Sequence, residues 1–340
     1  MPAGRELARD ETMRLVKQVA LVVVGSAACA ALAEGIVLAE VRLNPWRVAA
    51  LLESFALVLV GFTALSHPGF VRTLRHWAAH SALAAFAIPF LLLIPYFILA
   101  LGTRTFSWLA LAKLSAYIAV PTVLLLPDRL GGRESAGWRD FAAMASLAVP
   151  VAAGWLSGIW IWPQDLYVFR PLFCVSIGGY GFLVVRNLQG VGYRLWFRKA
   201  DLVDAAANYV AFAIIAIPLG MALQFIHPHA QRVSPWTFCL TLLGTYLTVA
   251  VPEELLFRGV LQNFLTKTIH STHVKRDALL VASVIFGLSH LHHAPVPNWR
   301  YGIMATVAGL FYGNTFNSRR RVSASALTHA LVDTTWHFWF

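Results

Sequence analysis

Long apolar stretches separated by short polar connections run along the whole chain. About 20 consecutive apolar residues suffice to cross a bilayer as a helix. Eleven such stretches are readable: 15–38, 48–66, 79–101, 106–126, 141–160, 169–187, 205–226, 236–256, 278–293, 301–317 and 323–340. Pro89, Pro95, Pro121, Pro150 and Pro218 fall inside them, which bilayer helices tolerate because neighbouring groups satisfy the freed carbonyls. The pattern predicts an all-α polytopic membrane protein of about eleven transmembrane helices. No linker separates a soluble domain, so any catalysis takes place in or at the membrane.

Composition agrees. Of 340 residues 58% are hydrophobic and 13% charged, about half the charged share of a soluble domain, which is roughly 25%. The net charge of +11 would suit nucleic acid, but its distribution excludes that partner. With residues at span ends assigned to the adjoining connection, alternate connections hold twenty Lys and Arg against six, and Lys113 lies deep inside a span. This positive-inside bias predicts a cytoplasmic N-terminus and an external C-terminus. Anionic lipid at the cytoplasmic face is the expected partner of the basic connections, and a bacterial inner membrane is the expected location. The first apolar run reads as an uncleaved signal anchor. Cys29, Cys174 and Cys239 sit in apolar stretches without metal-like spacing and read as reduced packing residues.

A basic connection, Gly190 to Asp201, divides the chain into an accessory region of about six spans, 1–200, and a core, 201–340. The first region holds few polar groups. Glu34 and Arg170 lie near span ends and are expected to snorkel to the headgroups; Glu53 is a further isolated charge, and Lys113 pairs with another span or faces a wet cavity. Trp155, Trp160 and Trp162 read as an interfacial belt.

The core carries nine of the twelve histidines and one dense group of charges, Glu253-Glu254-Leu255-Leu256-Phe257-Arg258, after an uncharged run from Trp236 to Ala250. Ionised groups at membrane depth cost several kcal/mol unless paired or wetted, so they mark function by default. On a helix, positions four apart share a face, which stacks Glu254 on Arg258 and holds that pair by a charge-assisted bond. Glu253 points about 100° away and is the carboxylate left free to act as a general base. A purely structural ion-pair network is the alternative. His290 ends an apolar run with Phe286 one turn before it, and His329 shares a face with Asp333. Each of these could equally be a packing residue, and His292 and His293 read as interfacial.

Depth constrains the arrangement. A span ending at 256 would leave Glu253 and His290 near opposite membrane surfaces. The conflict disappears if the helix continues past Pro252 to about Thr266, as Leu255, Leu256, Phe257, Val260, Leu261, Phe264 and Leu265 allow. Glu253 then lies ~25 Å along a ~45 Å helix, and Glu253, His290 and His329 can meet in one intramembrane cavity.

Three motifs in this order, Glu253-Glu254-x-x-x-Arg258-Gly259, Phe286-x-x-x-His290 and His329-x-x-x-Asp333, resemble those of the CPBP family of CAAX prenyl endopeptidases and bacteriocin-processing enzymes, over residues 205–340. The resemblance implies a helical core with an intramembrane cavity and an endopeptidase acting on a peptide or membrane-protein substrate. It implies Glu253 as general base, His290 as its water-positioning partner, Glu254 and Arg258 as a supporting pair, and His329 and Asp333 at the developing oxyanion. Many members carry asparagine where this chain has Asp333. An ionised aspartate cannot donate to an oxyanion, so either Asp333 is protonated or it orients a cationic His329. No cofactor is expected. A zinc variant would take Glu253, His290 and His329 as ligands, but His-Glu-x-x-His is absent from the sequence and Arg258 beside the carboxylates opposes a divalent cation. The competing classes are a proton-coupled transporter and a non-proteolytic scaffold or immunity protein. The polar groups cluster in one half without an inverted repeat, which disfavours transport.

Overall fold

The computed structural model describes residues 44–129 and 135–340. The expected span 15–38, Glu34 and Cys29 lie outside them. Among the described residues the chain is helical, with no strand. It divides into two compact units: residues 44–129 with Arg139–Asn187, and 135–138 with Leu188–Phe340.

In the first unit α1 spans Pro45–Ala64, α2 Pro68–His80, α3 Ala82–Thr103, α4 Trp108–Asp128, α5 Trp138–Ala152 and α6 Phe169–Val185. Helices α1, α3 and α4 are long and apolar enough to cross a membrane. A side chain at Gly102 would approach Ala50 Cβ to 2.4 Å, so small residues set the contact of α1 with α3. Ser54 Oγ donates to the Pro95 carbonyl at 2.8 Å, giving a proline-interrupted helix a partner from its neighbour.

Several expectations are corrected in this unit. Helix α2 was not anticipated, because its apolar residues recur at the helical period rather than in one run. The stretch 141–160 is not one span: α5 ends at Ala152 and turns follow. Trp160 is fully buried, stacked on Phe169 at 5.7 Å and tilted against Phe173 at 4.9 Å, and so belongs to the core instead of an interfacial belt. Arg170 is buried and paired with Asp165 rather than snorkelling. Lys113 Nζ donates to the Trp155 carbonyl at 3.1 Å. Glu53 is exposed. Cys174 is buried, and Cys239 is exposed.

The second unit contains α7 Lys199–Ala222, α8 Pro235–Thr268, α9 Val274–Ser289, α10 Trp299–Arg319 and α11 Val322–Trp339. Only α7 and α8 among these are both long and apolar enough to span a membrane by themselves. Five described helices therefore meet that standard, fewer than the eleven apolar stretches suggested. Helix α9 has 16 residues, and α10 and α11 are diluted by the glycines, serines, threonines and histidines with which they pack and build the site.

Helices α9 and α10 are in near contact. A Cβ at Gly287 would lie 1.8 Å from Thr306 Oγ1 and 2.5 Å from the Gly302 carbonyl. The loop before α7 is clamped by the α10–α11 junction. Gly192 (φ +68°) leaves no room for a side chain, since a Cβ would meet the Arg320 carbonyl at 2.2 Å, and its own carbonyl accepts from Val322 N at 3.0 Å. Arg319 grips Asp204 with two hydrogen bonds of 2.5 and 2.7 Å, and Arg321 lies 2.9 Å from Asp201.

Candidate active site

Helix α8 runs uninterrupted through Pro252 to Thr268. Proline has no N–H and crowds the carbonyl four residues before it. The chain accommodates this by widening: Tyr246–Ala250 is π-helical, Val251–Glu254 is α-helical, and Leu255–Gln262 is π-helical again. The carboxylate pair thus sits on one α turn between two π segments, a feature often found at functional sites.

Glu254 is fully buried and saturated. Arg258 Nε donates to its Oε2 at 3.0 Å, His329 Nδ1 lies 3.1 Å from its Oε1, and Ser325 Oγ is hydrogen-bonded to Oε2. Ser325 also reaches the Tyr312 carbonyl at 2.7 Å; with one proton it donates to one acceptor at a time. Arg258 Cζ stands 5.1 Å from the centre of the Phe286 ring, a cation–π contact that helps hold the buried guanidinium.

Glu253 differs. Its Oε2 has no hydrogen-bond partner, and His329 Nε2 stands 4.0 Å from it. The residue lines a cavity of about 250 Å³ with His290, His329 and Asp333. The remaining wall is mostly apolar, supplied by α7, α10 and α11 through residues such as Phe212, Met304 and Trp336.

His290 caps the end of α9. Its Nδ1 lies 2.7 Å from the Phe286 carbonyl, and a carbonyl only accepts, so Nδ1 carries the proton and Nε2 of the neutral ring presents a lone pair. His329 is held on both sides: Nδ1 faces Glu254, and Nε2 lies 3.3 Å from Asp333 Oδ2. Tyr312 stacks flat on its ring at 4.4 Å and 14°, while Phe286 packs edge-on at 5.9 Å. All six residues singled out from the sequence, Glu253, Glu254, Arg258, His290, His329 and Asp333, therefore belong to one connected group. His292 and His293 are exposed.

The sequence reading missed Ser325 and Tyr312. Ser325, His329 and Asp333 are spaced four apart and share one helical face, a signal that was there to be read. Tyr301, Ala305, Ala308 and Tyr312 likewise make one face of α10, and all four line the cavity. Among the described residues, no group of three or more His, Cys, Asp or Glu side chains stands at metal-holding spacing.

Residues 235–335 match the family described as Rce1-like, type II CAAX prenyl endopeptidase Rce1-like. The match supports the resemblance of this segment to the CPBP family. No curated protein and no solved structure matches the chain. The matched segment opens at the start of α8, closes within α11 and contains all six site residues. Helix α7, which walls one side of the cavity, lies before it.

Proposed function

We propose that the matched segment is an intramembrane endopeptidase that hydrolyses a membrane-associated or lipidated peptide with a glutamate-activated water. The observation that carries this reading is the asymmetry of the carboxylates: Glu254 is saturated, whereas Glu253 lines the cavity and one of its oxygens has no hydrogen-bond partner. Glu253 takes a proton from a water that the lone pair of His290 Nε2 holds in place. The water oxygen attacks the peptide carbonyl, and the same carboxyl then returns its proton to the departing amine, as general acid–base catalysis requires. Arg258, Glu254 and Ser325 fix the Nδ1 side of His329, and Asp333 orients its Nε2 side. The mostly apolar cavity wall suits a lipid-modified or strongly hydrophobic peptide.

No metal enters this scheme. Both nitrogens of His329 are directed at carboxylates, and the Arg258 guanidinium beside them opposes a divalent cation. The reaction is tested on protein reconstituted in nanodiscs, with two quenched-fluorescence peptides that differ only by an S-prenyl group on a cysteine near the C-terminus. Cleavage of the prenylated peptide should fall about 10²–10⁴-fold in Glu253→Gln, the range set by loss of a general base, with the melting temperature retained. Undiminished cleavage by that variant would sink the proposal.

A further inference from the structure

With Asp333 ionised, the third motif has no free donor. Both ring nitrogens of His329 are turned to carboxylates, and an ionised Asp333 only accepts hydrogen bonds. Attack on a peptide carbonyl builds negative charge on its oxygen, where preorganised donors contribute most to catalysis. On the proteolytic reading above, that donor must come from another part of the cavity wall.

Three tyrosines line the cavity. The Tyr209 hydroxyl is engaged with Thr335 Oγ1 at 2.8 Å. Tyr312 lies flat on His329 and is fully buried, which suits it to holding that ring. Tyr301 is placed differently. Its ring centre is 4.8 Å from that of His290, and the ring is clamped by Phe225 at 5.3 Å and Trp336 at 5.4 Å. Among the described residues its hydroxyl makes no hydrogen bond to protein, and Tyr301 lines the same cavity as Glu253, His290 and Asp333. The backbone is pinned as well: Asn298 Oδ1 accepts from Tyr301 N at 3.0 Å, and Asn298 N donates to the carbonyl of Leu291, the residue after His290, at 3.0 Å. Tyr301 and His290 are therefore fixed with respect to each other.

We propose that Tyr301 is a catalytic residue whose phenolic O–H donates a hydrogen bond to the oxyanion of the tetrahedral intermediate. Water adds through its oxygen to the carbonyl carbon as Glu253 removes one of its protons, and the carbonyl π electrons move onto the oxygen, which accepts the Tyr301 hydrogen bond. Collapse re-forms C=O and breaks C–N, and the amine leaves with the proton from Glu253. Tyr301 keeps its proton throughout.

The test compares wild type, Tyr301→Phe, Asp333→Asn and the double variant on the prenylated peptide in nanodiscs. Tyr301→Phe should lower kcat about 10²-fold, the cost of one lost oxyanion donor, with KM and melting temperature unchanged. Asp333→Asn adds an amide N–H₂ to the lining of the same cavity and should recover part of that loss in the double variant, which a merely structural role for Tyr301 would not produce. An unchanged kcat in Tyr301→Phe, or a loss that Asp333→Asn does not recover, overturns the assignment while leaving the protease reading intact. A wild-type protein that cleaves neither peptide removes both.

Discussion

Glu253 and Glu254 are consecutive residues with opposite surroundings. Glu254 holds Arg258, Ser325 and His329, whereas Glu253 lines the cavity and its buried Oε2 has no hydrogen-bond partner. One residue of α-helix turns a side chain by about 100°, enough to separate a structural carboxylate from a reactive one.

The pair Glu254–Arg258 is buried on both sides, so its loss should be felt in folding. Removing one partner leaves an uncompensated buried charge, at a cost of roughly 3–5 kcal/mol. Arg258→Met and Glu254→Gln should each lower Tm in the same detergent, and the double variant should lose less than the two single losses added together. Additive losses would mean that the two side chains do not act as a pair.

The contact of α9 with α10 makes a second prediction. Gly287→Ala would force a Cβ against Thr306 Oγ1 and the Gly302 backbone; overpacking of this kind costs about 1–3 kcal/mol. Because His290 is three residues further along, cleavage should fall by more than the loss of folded protein explains. Gly61→Ala, whose Cβ meets nothing within 4 Å, should be neutral or gain up to ~1 kcal/mol from helix propensity. Measuring folded fraction and kcat on the same samples separates the two effects.

Chelation supplies a third prediction. Exhaustive treatment with a strong zinc chelator should leave cleavage of the prenylated peptide unchanged. Loss of activity that added zinc restores would instead reassign Glu253, His290 and His329 as ligands.

What could be read in the sequence follows the range of the interaction. Glu254 with Arg258 and His329 with Asp333 are set by helical spacing, and a helix continuing past Pro252 follows from the apolar residues beyond it. The contact of Glu254 with His329 joins residues 75 positions apart and depends on how α8 packs on α11, which no local pattern encodes. Trp160 and Arg170 were misplaced because hydropathy does not distinguish a membrane surface from a protein interior. The membrane-span reading weakened at α9 to α11 for a related reason: these helices are buried partly by one another, and close packing favours the small and polar residues that dilute an apolar run.

The two π segments on either side of Val251–Glu254 fix more than a shape. Such segments alter the angular phase of the helix without ending it, so the number of residues in each decides how the turn that carries Glu253 and Glu254 is aimed. Deleting one of Leu255, Leu256 and Phe257 would leave every side chain of the motif present and put Glu253, instead of Glu254, four positions before Arg258. In this part of the chain, length is inherited information in the same sense as residue identity.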